Sequence, residues 1–430
     1  MTELHAGTAS TGTGDRSGPR AALPALCLTQ ITSWGVLYYA FPVLNPTITV
    51  DTGWSPTATT AAFSAALLVS ALAGIPIGRV LDARGPRRVM TAGSVLAVIS
   101  LLVIASAPDP AVFTGGWLLA GVAMAATFYQ PAFAALTRWW GERRVRALTI
   151  VTLAGGLAST AFAPLTATLA DHLSWRATYV ALAAILAVVT IPAHALALRG
   201  PWPPAPAATG ARTATGARTA TGRTATGRGT TGRGTPVARS RPFLLLAAAF
   251  TLSGFAMYGV VVTLVPLLIE RGASTTAAAW ALGLGGVGQT LGRTLYATLA
   301  GRTGTTVLTA ALIAAGAATT AALAVVPGPF PLLVVIAVVA GTVRGNLTLL
   351  HATAVTDRWG TAHYGRLSAL LALPVAVAAA LAPFAGTALA ALLGGYPGLF
   401  ALLALTSLCA AALALGTAPR DAVERGSRIS

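Results

Sequence analysis

The run FPLLVVIAVVAGTVRGNLTLLHATAVT, residues 330–356, predicts a helix that crosses a membrane and carries one cation, Arg344, near its middle. A hydrocarbon core about 30 Å thick is spanned by about 20 apolar residues, and this run exceeds that length. A second run, residues 275–300, encloses Arg293 in the same way, and no long apolar run has an interior Asp or Glu. An ionisable side chain in hydrocarbon costs several kcal/mol and usually faces a cavity or a bundle interior, where it binds something. Because these runs offer neither arginine a carboxylate partner, an anionic ligand is the leading candidate for both.

The composition of the whole chain fits the same environment. Hydrophobic residues make up 55% of the 430 residues and charged residues 9%, which indicates a chain solvated mostly by lipid. Twelve runs are long enough to span a bilayer, so we predict an all-α membrane protein with twelve transmembrane helices in two six-helix bundles. The predicted spans are residues 22–46, 57–79, 89–107, 111–137, 147–170, 176–198, 243–269, 275–301, 305–326, 329–356, 364–392 and 395–417.

The chain is strongly basic, with a net charge of +17, and all 28 basic residues are Arg. The arginines gather in the loops after every second predicted helix. These loops hold Arg84, Arg87, Arg88, Arg138, Arg143, Arg144, Arg146, eight Arg between 199 and 241, Arg302 and Arg358. By the positive-inside rule these loops and both termini are cytoplasmic, and we expect the protein in a bacterial cytoplasmic membrane.

Residues 200–241 interrupt the apolar runs with near repeats such as ATGART and ATGRT. Such tracts cannot bury enough apolar surface to offset the backbone entropy lost on ordering, so they predict a disordered linker between the bundles. Its arginines would lie near anionic lipid headgroups, or the segment is a passive tether. The predicted division is a disordered cytoplasmic N-terminus at 1–21, bundles at 22–198 and 242–417, the linker at 199–241 and a cytoplasmic tail at 418–430.

A faint duplication links the two bundles, because GRVLDARGPRR ends the second predicted helix at residues 78–88 and ATLAGRTG ends the eighth at 297–304. Internal repeats are typical of secondary transporters, whose substrate site lies near the bilayer midplane between the halves. Residues 78–88 resemble the loop signature of the major facilitator superfamily, which implies alternating access and a loop that latches one conformation. The resemblance assigns to this gating loop Gly78 for close helix approach, Asp82 as an acceptor for a neighbouring helix N-terminus, Gly85 for a tight turn, and Arg84, Arg87 and Arg88 at the cytoplasmic side.

Three further segments resemble the monocarboxylate transporter and oxalate/formate antiporter branch of that superfamily. They are residues 53–64 with GWS and AFS, residues 139–156 with WWGERRVRAL and GG, and residues 39–42 with YAFP. This resemblance implies that Arg293 binds a carboxylate. In animal monocarboxylate carriers an Asp and a Lys implied in proton coupling stand where this chain has Gln289 and Val43. Exchange of one organic anion for another would need neither of those family residues.

The positions of the two arginines agree with that assignment. A guanidinium offers a planar fork of donors that matches a carboxylate. Arg293 lies nine residues from Arg302, about 13 Å along the helix, and Arg344 lies fourteen residues from Arg358, about 21 Å. For Arg293 the alternative is pairing with helix carbonyls or with a hydroxyl on a partner helix. His351 shares a helix face with Arg344 and is our candidate for proton coupling, with ordinary packing as its alternative.

Several uncharged side chains are predicted to complete the substrate site. Aromatic and amide groups suit an organic anion, while ordinary interhelical packing would account for the same groups inside a bundle. These residues are Gln30 and Tyr38 on the first helix with Ser33, Trp34 and Tyr39 beside them, Tyr129 and Gln130 on the fourth, Tyr258 on the seventh and Gln289 on the eighth.

Other classes of function find no support in the residues. Lys is absent, so there is no Gly-Lys phosphate loop, and neither metal-ligand spacing of His and Cys nor paired carboxylates occur in the predicted helices. The Arg-rich repeats lack aromatic residues for base stacking. We expect no enzyme activity, cofactor, metal or nucleic-acid partner. We predict a secondary transporter of a small organic anion, with a carboxylate as the expected chemical class, coupled to a counter-ion or a proton. The alternatives are an efflux pump for a drug or metabolite and, more remotely, a non-transporting membrane sensor.

Overall fold

The computed structural model describes residues 19–202, 237–360 and 364–417. The predicted tail, nearly all of the predicted N-terminal segment and most of the predicted linker lie outside these residues. Within them every regular element is a helix, as the sequence predicts.

In residues 19–202 the helices follow one another with short connections. They are α1 (Ala22–Trp34), a π-helical turn (Gly35–Tyr39), α2 (Ala40–Thr52), α3 (Pro56–Arg84), α4 (Pro86–Ser106), α5 (Pro110–Thr127), α6 (Tyr129–Trp140), α7 (Arg144–Gly156), α8 (Ala158–His172), α9 (Trp175–Pro192) and a second π-helical turn (Ala193–Ala197). Serine side chains define two of the starts, because Ser55 and Ser174 accept hydrogen bonds from backbone N–H groups of α3 and α9.

The second half has longer, mostly unbroken helices. They are α10 (Arg241–Glu270), α11 (Thr275–Arg302), α12 (Thr305–Val325), α13 (Phe330–Trp359), α14 (Tyr364–Leu392) and α15 (Tyr396–Leu415). Ser240 and Ser274 cap α10 and α11 in the same manner as the serines of the first half.

Two spans that the sequence predicts as single helices are each broken into two helices in the structure. The span predicted at 111–137 is interrupted at Phe128, whose backbone is extended between α5 and α6. The span predicted at 147–170 is interrupted at Leu157, directly after the pair Gly155 and Gly156. Breaks of this kind are tolerated at membrane depth where the freed backbone is buried in protein or lines a cavity.

Ten helical segments of the described residues are long and apolar enough to cross a membrane, when α5 with α6 and α7 with α8 are each counted as one segment. The two predicted spans outside this set are 22–46 and 275–301, which are helical throughout but carry many polar side chains. Twelve transmembrane helices therefore stay a prediction. Both of these more polar helices carry predicted site residues.

The end of α8 contacts the start of α11 through Asp171 and Thr276. Since α9 follows α8 and α10 precedes α11, α9 ends and α10 begins at the opposite end of the molecule, which we call the linker end. The two halves touch chiefly through the pairs α3 with α14 and α8 with α11. Near the opposite end, the Phe384 N–H donates to Ser64 Oγ at 3.0 Å and the Thr276 hydroxyl donates to Asp171 Oδ2 at 2.6 Å. Which side of a membrane the linker end faces stays a prediction.

Both ends of the predicted linker, 199–241, reach into the residues that the structure describes. Residues 199–202 pack against the first half, because Trp202 Nε1 donates to the Asp82 carbonyl at 3.0 Å and Trp139 Nε1 donates to the Pro201 carbonyl at 3.0 Å. At the other boundary Arg241 is the first residue of α10. The tract between the halves therefore begins after Trp202 and ends before α10.

Candidate functional site

A cavity of about 310 Å³ lies between the two halves near the middle of α10 and α14. The first half supplies an aromatic wall, and the second half supplies Tyr258 and three alanines of α14, one of which is Ala379. Four of the predicted site residues line this space together. They are Tyr38, Tyr129, Gln130 and Tyr258.

The aromatic wall is a packed cluster of four rings, Trp34, Tyr38, Phe128 and Tyr129, which we call the aromatic cluster. Trp34 stacks on Phe128 with 4.1 Å between ring centroids and a 16° interplanar angle. Tyr38 and Tyr129 lie 5.5 Å and 5.3 Å from Trp34. Phe128 was not predicted; the signal that could have found the break beside it is Pro131, which has no N–H to donate to the Thr127 carbonyl four residues earlier.

Two polar atoms in the aromatic cluster lack a protein partner. Trp34 Nε1 and the Tyr38 hydroxyl are buried without a hydrogen bond, and Tyr38 is only 2% exposed. Buried donors are nearly always satisfied by protein or water, because an unmet donor costs about 1–3 kcal/mol. An acceptor oxygen on a ligand in the cavity would satisfy them.

Arg344 lies beside the cavity on the middle turns of α13. Its Nη2 stands 3.5 Å from the Gln289 side-chain oxygen, at the long limit for a hydrogen bond, and its Nε is buried without a partner. Its charge acts on the hydroxyls of Tyr38 and Tyr258, which both line the cavity. Its side chain lines a small neighbouring cavity of about 40 Å³ formed with α10 and α12, and no ion pair of Arg344 with a carboxylate is found among the residues the structure describes.

Arg293 of α11 reaches across to the first half. Its Nη1 donates to the Thr152 carbonyl of α7, and the Tyr129 hydroxyl lies within hydrogen-bonding reach of the same guanidinium. Gly156 makes room for this contact, since a Cβ atom there would lie 3.0 Å from Nη1. The carbonyl pairing that the sequence left as the alternative is therefore present, while binding of a ligand by Arg293 stays a prediction.

The helices α11 and α13 pack with their backbones in direct contact, which fixes the two arginines relative to each other. A Cβ atom on Gly292 would lie 2.0 Å from the Thr342 carbonyl oxygen, and one on Gly345 would lie 2.0 Å from the Gln289 carbonyl oxygen. Small residues four apart allow such close approach in membranes. The sequence contains a pattern that indicates this contact, because Gly288 and Gly292 lie four residues apart, as do Gly341 and Gly345.

His351 lines a second cavity of about 400 Å³, which shares Tyr258 and Ala379 with the central one. The second cavity extends to Ser368 near the start of α14, so the two together run from the middle of the molecule towards the linker end. The His351 ring packs on Phe250 at 4.1 Å, and its Nε2 is buried without a partner. His351 therefore makes the packing contact that was the alternative to proton coupling, and it also keeps one ring nitrogen, Nε2, without a hydrogen-bond partner.

The three predicted glutamines lie in different surroundings. Gln130 is exposed in the cavity wall, and Gln289 faces Arg344. Gln30 is fully buried, and its Nε2 donates to the carbonyls of Thr127 at 2.7 Å and Phe128 at 3.4 Å. The Gln30 amide thus satisfies carbonyls freed at the helix break, it is not among the described lining residues of the central cavity, and substrate binding by it stays a prediction.

The predicted gating loop at residues 78–88 is tied to the first half. Asp82 forms an ion pair with Arg138 of α6, and its contact with a helix N-terminus stays a prediction. Gly85 has φ = +77°, as a tight turn requires, and Arg87 Nε donates to the Ala195 carbonyl at 2.8 Å. The close approach expected at Gly78 is not made in this conformation, since no atom lies within 4 Å of its Cβ position.

Comparison with known proteins places these features in a family. The family model for the Major Facilitator Superfamily matches residues 26–328. Over 105 residues the chain is 35% identical to monocarboxylate transporter 13 of Rattus norvegicus, covering 24% of each protein. Over 150 residues it is 35% identical to monocarboxylate transporter 11 of Homo sapiens, covering 34% of this chain and 30% of that protein. The matches thus span about a quarter to a third of the length of these curated relatives.

Solved structures show the same fold over nearly the whole chain. A mutant of the nucleoside transporter NupG superposes with a TM-score of 0.72 at 14% identity, covering 93% of this chain and 99% of that one. A bacterial homologue of the human lysosomal transporter Spinster, in an inward-facing and occupied conformation, gives a TM-score of 0.68 at 16% identity and covers 92% and 96% of the two chains. With a family match over more than half of its residues and this fold, the chain belongs to the major facilitator superfamily.

Proposed function

We propose that this protein is a secondary active transporter that moves a small organic anion, a carboxylate, by alternating access. The observation that carries the proposal is Arg344, a cation beside the central cavity that has no carboxylate partner in the described part of the chain. An uncompensated charge in a membrane interior is costly unless a ligand supplies its counter-charge. The partial likeness to carriers named monocarboxylate transporters supports the same class of substrate.

In the proposed mechanism the anion enters the cavity with one oxygen near the hydroxyls of Tyr38 and Tyr258, which donate hydrogen bonds to it. Arg344 supplies the compensating charge, and its attraction is strong because few waters screen it in a partly dry cavity. The carboxylate then draws Arg293 away from the Thr152 carbonyl. Because that hydrogen bond joins the two halves, the exchange links substrate binding to their relative movement, as differential affinity for two conformations requires.

Exchange of one anion for another is the proposed form of coupling. The acidic residues whose side chains are described lie at or near helix ends; they are Asp51, Asp82, Asp109, Asp171, Glu270 and Asp357. None of them stands in the cavity wall, so no proton-carrying carboxylate is at hand there. His351 is the second coupling candidate, and an imposed pH gradient that drives uptake into vesicles would favour it over exchange.

The test begins with thermal stability of the purified full-length protein in detergent. The probes are lactate, pyruvate, oxalate and benzoate, with tetraphenylphosphonium as a hydrophobic cation. A ligand that binds only the folded state raises the apparent melting temperature. We expect at least one carboxylate to do so, with the shift lost in Arg344→Gln and reduced in Arg293→Gln. Arg302→Gln is the matched control, because Arg302 is an exposed arginine at the end of the same helix as Arg293.

The stabilising acid is then used in proteoliposomes preloaded with the same unlabelled acid. Saturable uptake of labelled acid that disappears in Arg293→Gln, with normal insertion of the variant, is the expected result. Stabilisation by tetraphenylphosphonium that ignores both arginine substitutions would replace the proposal with efflux of hydrophobic cations. Binding of a carboxylate without saturable flux would indicate a membrane sensor.

A further inference from the structure

We propose that the central cavity selects monocarboxylates that carry an aromatic ring or a group of similar apolar bulk, and that Trp34 determines this specificity. The inference rests on the proposed function, because it assumes an anion site beside Arg344. It adds to that function the shape of the substrate and the residue that recognises its apolar part.

The size of the cavity is the first argument. Its 310 Å³ corresponds to about ten water molecules at their share of liquid volume, about 30 Å³ each. An acid of two or three carbons would fill only part of this space and leave the apolar walls in contact with water. Cavities from about 300 Å³ upwards are typical of ligands much larger than such acids.

The chemistry of the walls is the second argument. One side is the aromatic cluster, in which the stacked pair of Trp34 and Phe128 forms a rigid unit. The facing side is the alanine wall of α14, formed by Ala376, Ala379 and Ala380. Small side chains opposite a cluster of rings leave a space bounded by apolar surface, and a ligand ring packs on such rings in offset or edge-to-face geometry.

The distribution of polar groups is the third argument. The hydroxyls of Tyr38, Tyr129 and Tyr258 belong to the cavity lining, and the charges of Arg344 and Arg293 act on them, so the positive potential is concentrated around these hydroxyls. The other polar groups of the described lining are Ser70, Gln130 and the Trp34 indole N–H, and all of them are uncharged. A second carboxylate placed there would be desolvated without a counter-charge, which is costly. The cavity therefore accepts one carboxylate and one apolar group.

A matched pair of acids tests the inference in the full-length protein. Dissociation constants for acetate and 3-phenylpropanoate are measured by isothermal titration calorimetry in detergent. We expect 3-phenylpropanoate to bind at least about tenfold more tightly, which corresponds to about 1.4 kcal/mol. In Trp34→Leu the advantage should fall below about threefold, while Trp34→Phe should keep most of it because a ring remains. Trp280→Leu is the control, since Trp280 is 51% exposed at the start of α11 and should leave both constants unchanged.

A second variant tests the inference by steric exclusion and does not remove a core ring. In Ala379→Phe the new ring occupies the space opposite the aromatic cluster. Binding of 3-phenylpropanoate should fall at least about tenfold, whereas acetate should bind within about threefold of the unmodified protein. This pattern is independent of any folding defect caused by changing Trp34.

These experiments distinguish failure of the ring specificity from failure of the anion site. Equal affinity for the two acids, or an unchanged advantage of 3-phenylpropanoate in both Trp34→Leu and Ala379→Phe, would overturn the ring specificity and leave the anion site standing. Arg344→Gln should abolish binding of both acids. If it leaves both constants unchanged, the anion site is wrong and the present inference falls with it.

Discussion

The hydroxyl of Tyr38 contributes nothing visible to the fold, which makes it informative about function. It is buried without a partner, on a turn of π-helix that interrupts α1 and α2. Turns of this kind are frequent at functional sites. A donor that folding leaves unmet costs stability, and a ligand that accepts from it recovers that cost.

Replacing Tyr38 by Phe should therefore have opposite effects on stability and on binding. Without ligand the melting temperature should stay the same or rise, because the unmet hydroxyl is gone. The affinity for the carboxylate should fall about threefold to tenfold, the effect of one hydrogen bond of about 1 kcal/mol. Thermal shift and calorimetry on the same preparation give both quantities.

Tyr179→Phe is the matched control for this substitution. Its hydroxyl is also buried without a partner, but it lies on α9 away from the described lining of the central cavity. It should leave the affinity unchanged. A loss of affinity equal to that of Tyr38→Phe would show that the effect is general to buried hydroxyls and that Tyr38 does not contact the anion.

At the scale of elements, the contact between α11 and α13 carries the most constraint. The close approach at Gly292 leaves no room for a methyl group, because a Cβ atom would lie 2.0 Å from a carbonyl oxygen of the facing helix. Gly292→Ala should push the two helices apart and lower the apparent melting temperature by several degrees. It should also weaken anion binding, since Arg293 and Arg344 sit on these two helices.

Gly301→Ala provides the control on the same helix. No atom lies within 4 Å of its Cβ position, and Ala favours helix over Gly by up to about 1 kcal/mol. Its melting temperature should equal or slightly exceed that of the unmodified protein. Equal destabilisation by both substitutions would mean that packing of α11 against α13 is not what holds the arginines in place.

The segment after α9 is a second element with a testable role. Trp202 packs over Gly85, lies 4.4 Å from the Arg138 guanidinium as a cation–π contact, and donates a hydrogen bond to the Asp82 carbonyl. These contacts attach the start of the linker to the predicted gating loop. Trp202→Ala should destabilise the first half by about 1–2 kcal/mol, the sum of one cation–π contact and one hydrogen bond.

The comparison with Trp202→Phe separates the two contributions of this side chain. Phe keeps a ring over Arg138 but loses the indole N–H, so about half of the loss should be recovered in a melting experiment. If Trp202→Ala melts like the unmodified protein, the segment at 199–202 does not hold the loop. Residues 199–202 would then be interpreted as the start of a passive tether between the halves.

These elements also show what the sequence could and could not predict. Long apolar helices and the two interior arginines were predictable, because the cost of exposing polar groups to lipid dominates every alternative. For the break at Phe128 the sequence holds only half of the cause: Pro131 leaves the Thr127 carbonyl without its helical donor, but the donor that replaces it, Gln30, lies about a hundred residues away. The cation that pairs with Asp82 was missed for the same reason, since Arg138 lies 56 residues along the chain.

For the whole molecule, the central cavity lies between the residues before and after the tract that follows Trp202. The two spans that are too polar to count among the ten apolar helices, 22–46 and 275–301, are those that bring Tyr38 and Arg293 to the interface. A helix that faces a shared cavity needs polar residues, which lowers its resemblance to a membrane helix. The weakness of the membrane signal in these two helices is therefore itself informative about the site.

In this conformation the two halves contact each other at the end remote from the linker. A covalent link between the halves at that end should therefore block transport. The Thr276 hydroxyl and Asp171 Oδ2 lie 2.6 Å apart across the two halves. Cysteines at both positions, in a background with Cys27→Ser and Cys409→Ser, would be joined by a short bis-methanethiosulfonate linker. Alternating access requires these ends to separate, so uptake by proteoliposomes should fall to the background of empty vesicles and return on reduction.

Binding should survive in the linked protein. The central cavity continues through the second cavity to Ser368 near the linker end, so a carboxylate can still reach Arg344 and raise the melting temperature. Each single-cysteine protein, treated with the same reagent, should transport normally and controls for modification alone. Undiminished uptake by the fully linked protein would show that substrate passes without separation of α8 from α11, and the rocking of the two halves would have to be abandoned as the transport step.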